Sequence, residues 1–133
     1  MIANFVLRDE KGNSGKRLSI LQGEIKHIEL FLLDPGGAPY KYDPTANAAT
    51  VKIFEGTGQT PLTKTVSGGA VTLITSTELD AIIGVSFDLS AADTLALPIS
   101  STLNLSLTLQ VSTTRKDVID CGACLSNSAP LVP

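Results

Sequence analysis

The run from Val85 to Val111 restricts the fold of this chain more than any other. Leu103, Leu105, Leu107, Leu109 and Val111 alternate with polar residues, and Val85, Phe87 and Leu89 do the same before them. A period of two sends successive side chains to opposite faces of a strand, so each run has one apolar face to place against a core. Between the runs, Ser90-Ala91-Ala92-Asp93 has the spacing of a capping box with Asp in place of Glu, and Pro98 follows Leu95, Ala96 and Leu97. A strand, one helical turn and a second strand are expected there.

The rest of the chain extends this pattern. Ile28, Leu30 and Leu32 alternate with Glu29, Phe31 and Leu33 before Asp34-Pro35-Gly36-Gly37 ends the strand. Its far end is apolar on both faces, which fits a central strand or an outer face covered by another segment or subunit. Thr50–Glu55 reads as a strand. Leu62–Val66 and Ala70–Ile74, joined by Ser67-Gly68-Gly69, read as a hairpin, as do Thr102–Ser112 and Lys116–Leu125 across Thr113-Thr114-Arg115.

Residues 1–22 are weakly patterned and suggest an N-terminal arm or added hairpin, residues 23–125 the sandwich, and residues 126–133 an extended tail. Roughly seven to nine strands with regular turn signals predict an all-β fold, an immunoglobulin-like antiparallel β-sandwich with one short connecting helical turn. A jelly roll is the alternative.

Composition narrows the function classes. Charged residues make up 17% and the formal net charge is -3, so no basic surface points to nucleic acid. No stretch approaches the ~20 apolar residues that span a membrane, and no signal-peptide pattern opens the chain. The expectation is a soluble chain with neither nucleic-acid nor membrane partners.

Chemistry is sparse. No G-x-S-x-G, P-loop, H-E-x-x-H, EF-hand or dinucleotide pattern occurs. The one histidine, His27, reads as a structural residue in a strand, and Asp34 and Asp93 fit turn and cap roles better than a catalytic pair. Cys121 and Cys124 on an extended strand would stand about 10 Å apart on opposite faces, as two reduced thiols. No catalytic residue, metal site or cofactor is expected, and the chain is not read as an enzyme.

Candidate partner-binding residues are Phe31 and Leu33 on the two-sided strand, Tyr40 and Tyr42 in a Pro-flanked loop, and Leu131 and Val132 in the apolar tail. Paired tyrosines suit a sugar ring or a protein contact. An apolar tail suits a groove.

Three stretches carry a family resemblance. Ile28–Leu33, Asp34-Pro35-Gly36-Gly37-Ala38-Pro39 and Ala49–Phe54 resemble the strand, D-x-x-G-x-P loop and second strand of immunoglobulin-like domains in bacteriophage tail and baseplate proteins. Val85–Thr94 followed by Leu97 is similar to their strand and L-S-x-x-D-T segment, and Leu103–Val111 with Arg115–Ile119 resembles their closing hairpin. The likeness is closest to the N-terminal domain of phage baseplate upper proteins, which attaches a receptor-binding fibre to the virion. Here Ser100-Ser101-Thr102 replaces their glycine-tyrosine strand start, and the sequence to Pro133 holds none of the fibre region that usually follows such a domain, so a stand-alone component is expected.

The resemblance implies a stand-alone virion component: a head-decoration, connector-associated or tail/baseplate adaptor protein. Its partners would be other virion proteins and further copies of itself, a homo-oligomer in the particle. A carbohydrate-binding or adhesion module that meets a host glycan is the alternative.

Overall fold

The computed structural model describes residues 4–56, 62–112 and 115–129. Ten strands and one helical turn follow in the order β1 (Asn4–Asp9), β2 (Ser14–Gly15), β3 (Leu18–Leu21), β4 (Lys26–Leu33), β5 (Ala48–Phe54), β6 (Leu62–Thr65), β7 (Val71–Ser76), β8 (Ala81–Leu89), α1 (Ala91–Ala96), β9 (Ser100–Ser112) and β10 (Arg115–Ser128). They form two five-stranded sheets, β2-β1-β4-β8-β7 and β3-β10-β9-β5-β6. The runs β1-β4-β8-β7 and β10-β9-β5 reproduce the A-B-E-D and G-F-C sheets of the immunoglobulin sandwich, with β6 added beside C and α1 in the E–F connection. That order separates the fold from a jelly roll. Pairing is antiparallel throughout the described ladders except where β3 runs parallel to β10.

The period-two pattern gives the core its residues. Leu103, Leu105, Leu107 and Leu109 are fully buried on β9, and across the ladder Ile53, Val51 and Ala49 stand opposite Leu105, Leu107 and Leu109. The opposing sheet contributes Ile28, Leu30, Leu32, Val85, Phe87 and Leu89. Each such aliphatic side chain brings about 1.5–3 kcal/mol before entropy is charged. Gly84 sits where the backbones of β4 and β8 crowd: a Cβ there would overlap the Leu30 carbonyl.

The helical turn forms as its sequence requires. Ser90 Oγ accepts from the Asp93 N–H at 3.1 Å, and Asp93 Oδ2 accepts from the Ser90 N–H at 2.8 Å. Lys64 Nζ on β6 lies 2.6 Å from the same carboxyl oxygen, which ties the turn to the edge of the second sheet. Thr94 is wholly buried and donates to the Glu24 carbonyl, while Asn127 Nδ2 donates to the Thr94 and Leu97 carbonyls. These bonds close one end of the sandwich.

Three expectations are corrected. Residues 4–21 are integral to the sandwich instead of an appended arm: β1 and β2 form a short hairpin, but β1 also pairs along its whole length with β4, β3 pairs with β10, and Leu7, Leu18 and Ile20 belong to the core. Leu62–Val66 and Ala70–Ile74 are not a hairpin, because β6 pairs with β5 and β7 with β8 in the other sheet. The Gly-rich turn between them crosses from sheet to sheet. The cysteines do not face opposite ways either. Register shifts on both sides of Gly122, which has φ +66°, bring Cys121 and Cys124 both into the core as free thiols. A bulge adds a residue and so resets which face its neighbours occupy.

Candidate functional site

The outer face of β1 and β4 carries a strip of half-buried apolar side chains. Val6 stands directly opposite Phe31 in the ladder, and Leu33 lies two residues further along β4. A bulge completes the patch. Gly84 and Ile82 pair with successive residues of β7, so Ile83 is the extra residue of β8, and it lines the same surface. With Pro39 and Arg8 these side chains border an open groove of about 300 Å³.

Arg8 organises its rim. The guanidinium lies 5.0 Å above the Phe31 ring and bonds Glu29 at 2.7 and 2.9 Å, so a cation and its counter-ion border the apolar strip. The loop after β4 is held against the groove by local bonds. Asp34 Oδ1 accepts from the Gly36 and Ala38 N–H groups, and Pro39 bridges back to Leu33. The turn role assigned to Asp34 is the one it performs.

Tyr40 and Tyr42 separate. Tyr40 is half-buried and packs against the core, whereas Tyr42 is 1% exposed. Its backbone exchanges two hydrogen bonds with Ile82, and its hydroxyl donates to Asp117 Oδ2 at 2.6 Å on β10. Tyr42 is therefore a pin between the sheets and offers no surface to a partner, which corrects its assignment as a binding residue. Burial and the Asp117 carboxylate push its hydroxyl up to about 12. Arg115 stacks 5.1 Å over the ring. Leu131 and Val132, the tail candidates, lie outside the described residues.

The titratable groups mostly serve the fold. His27 Nδ1 lies 2.6 Å from Asp88 Oδ1, its cross-strand neighbour on the exposed face. Burial pushes the Asp93 carboxyl up, but Lys64 and Ser90 outweigh it and hold the group below the usual carboxylate range. Burial raises both thiols, Cys124 to about 11, which keeps them protonated and unreactive at neutral pH. Among the described residues no group of three or more His, Cys, Asp or Glu side chains is placed to hold a metal ion, and no helix is long and apolar enough to cross a membrane.

One polar cluster went unnoticed in the sequence. Lys26 and Asp9 occupy inward positions on adjacent strands and are 3% and 5% exposed. Lys26 Nζ lies 2.9 Å from Asp9 Oδ2 and 3.9 Å from Glu24 Oε1. Asp9 Oδ1 accepts from the backbone N–H groups of Lys11 and Asn13, at 3.0 and 2.9 Å, and Asn13 Nδ2 donates to Oδ2. Burial pushes this carboxyl up, yet the donors of Lys26 and Asn13 overcome it and hold it well below the usual range. The signal available in the sequence was the charged residue at each place where inward alternation calls for an apolar one.

The fold and its surface define an immunoglobulin-like sandwich with an apolar strip on its A-B-E-D sheet. No protein-family model and no curated protein matches the chain. Among solved structures it is similar to the crystal structure of the S-layer protein SbsC domains 4 and 5, at 8% identity and a TM-score of 0.35, over 92% of this chain and 51% of that one. The chain thus spans about half the length of that structure.

Proposed function

We propose that this chain is a bacteriophage virion structural protein, working in the assembled particle through contacts with other virion proteins and with further copies of itself. The observation that carries the assembly role is the Val6, Phe31, Leu33 and Ile83 strip. It is an apolar groove with a charged rim on an otherwise hydrogen-bonded sheet, the composition of a protein-contact surface. Support for the phage setting comes from the motif resemblance. Its D-x-x-G-x-P residues form the loop that borders this groove, and its L-S-x-x-D-T residues form the cap of α1. Head decoration, connector association and tail or baseplate adaptation are the positions this reading covers.

The carbohydrate-binding alternative is weakened, because Tyr42 is buried and Tyr40 is left without the second ring that a sugar platform would use. The assembly role is tested with Phe31→Asp and Leu33→Asp, alone and together. Sedimentation is expected to show a concentration-dependent oligomer for the unaltered chain and a monomer for the double variant, whose far-UV spectrum stays that of a β protein. Particle complementation is expected to fail with the same variant. Unchanged assembly with both aspartates in place would overturn the role of this face.

A further inference from the structure

We propose that Lys26 and Asp9 condense to an intramolecular isopeptide bond, with Glu24 as the proton carrier, so that β1 and β4 become joined through their side chains. The geometry of the buried cluster places the two reacting groups in direct contact and the carboxylate of Glu24 next to them. Lys26 Nζ lies 2.9 Å from Asp9 Oδ2, one bond away from the carboxyl carbon that it would attack. Asp9 closes β1 and Lys26 opens β4, and the buried contact between them brings nucleophile and electrophile together without a diffusional encounter.

The remaining contacts divide the two carboxyl oxygens by role. Oδ1 faces two backbone N–H groups, those of Lys11 and Asn13, and is the oxygen on which negative charge would collect in a tetrahedral intermediate. Oδ2 faces Lys26 Nζ and Asn13 Nδ2 and is the oxygen that would leave. Glu24 Oε1, which accepts from the Leu21 N–H at 2.8 Å, lies 3.9 Å from Nζ and must close that gap to carry the proton.

The step balances without a further reactant. The ammonium of Lys26 passes one proton to Oδ2, and the neutral amine attacks Cγ to form the C–N bond. A second proton passes from Nζ through Glu24 to Oδ2, the Cγ–Oδ2 bond breaks, and one water departs. An ammonium and a carboxylate become an amide and water, with no change in oxidation state or net charge.

Burial supplies the driving force. An ion pair withdrawn from water keeps much of its desolvation penalty even when well hydrogen-bonded, and condensation removes both charges. The donors that hold Asp9 ionised in the paired state are also those that polarise its carboxyl group once the proton has moved. The inference does not depend on the virion reading. Its product would tie the first strand of the sandwich to the second wherever the protein serves.

The test is intact-mass spectrometry of the full, folded chain, followed by proteolysis and peptide mapping. The expected result is a mass lower by one water than the sequence requires in most molecules, with a branched peptide joining the segments that contain Asp9 and Lys26. Lys26→Arg should restore the full mass, and Glu24→Gln should slow the loss at least tenfold in freshly refolded protein. A folded chain that keeps its full mass after days at neutral pH would overturn the proposal. So would a water loss mapped to a peptide lacking either residue, since that is cyclisation elsewhere. An unchanged rate in Glu24→Gln would remove Glu24 from the step.

Discussion

Tyr42 shows how one residue's chemistry depends on a partner far along the chain. Its hydroxyl and the Asp117 carboxylate each set the other's proton affinity: burial and Asp117 raise the phenol to about 12, and the Tyr42 hydrogen bond, with Arg115, draws Asp117 below the usual carboxylate range. The two shifts act at opposite ends of the pH scale. A phenol raised above its unfolded value of about 10 contributes stability that is complete below that pH and is lost as the pH climbs through about 12. A carboxylate depressed below about 3.9 contributes stability that is present above that pH and disappears as the pH falls through its folded value. Tyr42→Phe removes both couplings and keeps the ring. Hydrogen bonds to charged groups are worth about 1.5–3 kcal/mol, and the 42% exposure of the Asp117 side chain places this one near the lower figure. Urea unfolding at neutral pH should show that loss, and the difference between variant and parent should shrink at pH 11 and again at pH 3. A difference that stays constant from acid to alkaline pH would exclude the pairing.

At the scale of elements, bulges and crossings decide where side chains go, and both depend on partners that no local pattern names. Gly84 is the sharpest instance. It lies opposite Phe31 where β8 passes close to the Leu30 carbonyl, next to the bulge that turns Ile83 outward. Gly84→Ala must push two central strands apart, and overpacking of this kind costs about 1–3 kcal/mol or more. A lower urea midpoint with an unchanged slope is expected, whereas an unaltered midpoint would mean that β4 and β8 have room to separate. The contrast with α1 explains what the sequence made legible. Ser90 and Asp93 lie within one turn and act on each other, so the cap could be read directly. The alternating leucines of β9 were legible for the same reason, and so was the outward, apolar placement of Phe31 and Leu33 on β4. The crossing from β6 to β7 was not, because a glycine turn between short strands looks the same whether the strands pair or part. Cys121 and Cys124 were misplaced because Gly122 resets the alternation, and Ile83 joined the groove by the same device. Tyr42 looked like a loop aromatic because its acceptor lies 75 residues away.

For the whole molecule, the decisive feature is that the first strands divide between the two sheets. β1 lies beside β4 in one sheet, and β3 lies parallel to β10 in the other, so the chain begins by bridging the sandwich it later completes. Removing residues 1–22 would take away three core side chains, Leu7, Leu18 and Ile20, each worth about 1.5–3 kcal/mol of gross burial. It would also take the Asp9 carboxylate from Lys26 and leave it only Glu24 Oε1 at 3.9 Å, and breaking a buried pair costs about 3–5 kcal/mol. Those losses together match the 5–15 kcal/mol that typically separates folded from unfolded domains. A chain beginning at Gly23 is therefore expected to show no cooperative urea transition by circular dichroism and to expose both thiols to a disulfide reagent. A shortened chain that still unfolds cooperatively, with Cys121 and Cys124 protected, would show that β4–β10 hold the core alone. In that event the first strands would be accessory after all, free to pair with a neighbouring copy. The expected collapse would instead confine the proposed assembly to faces the folded sandwich already presents, the Phe31 and Leu33 strip among them.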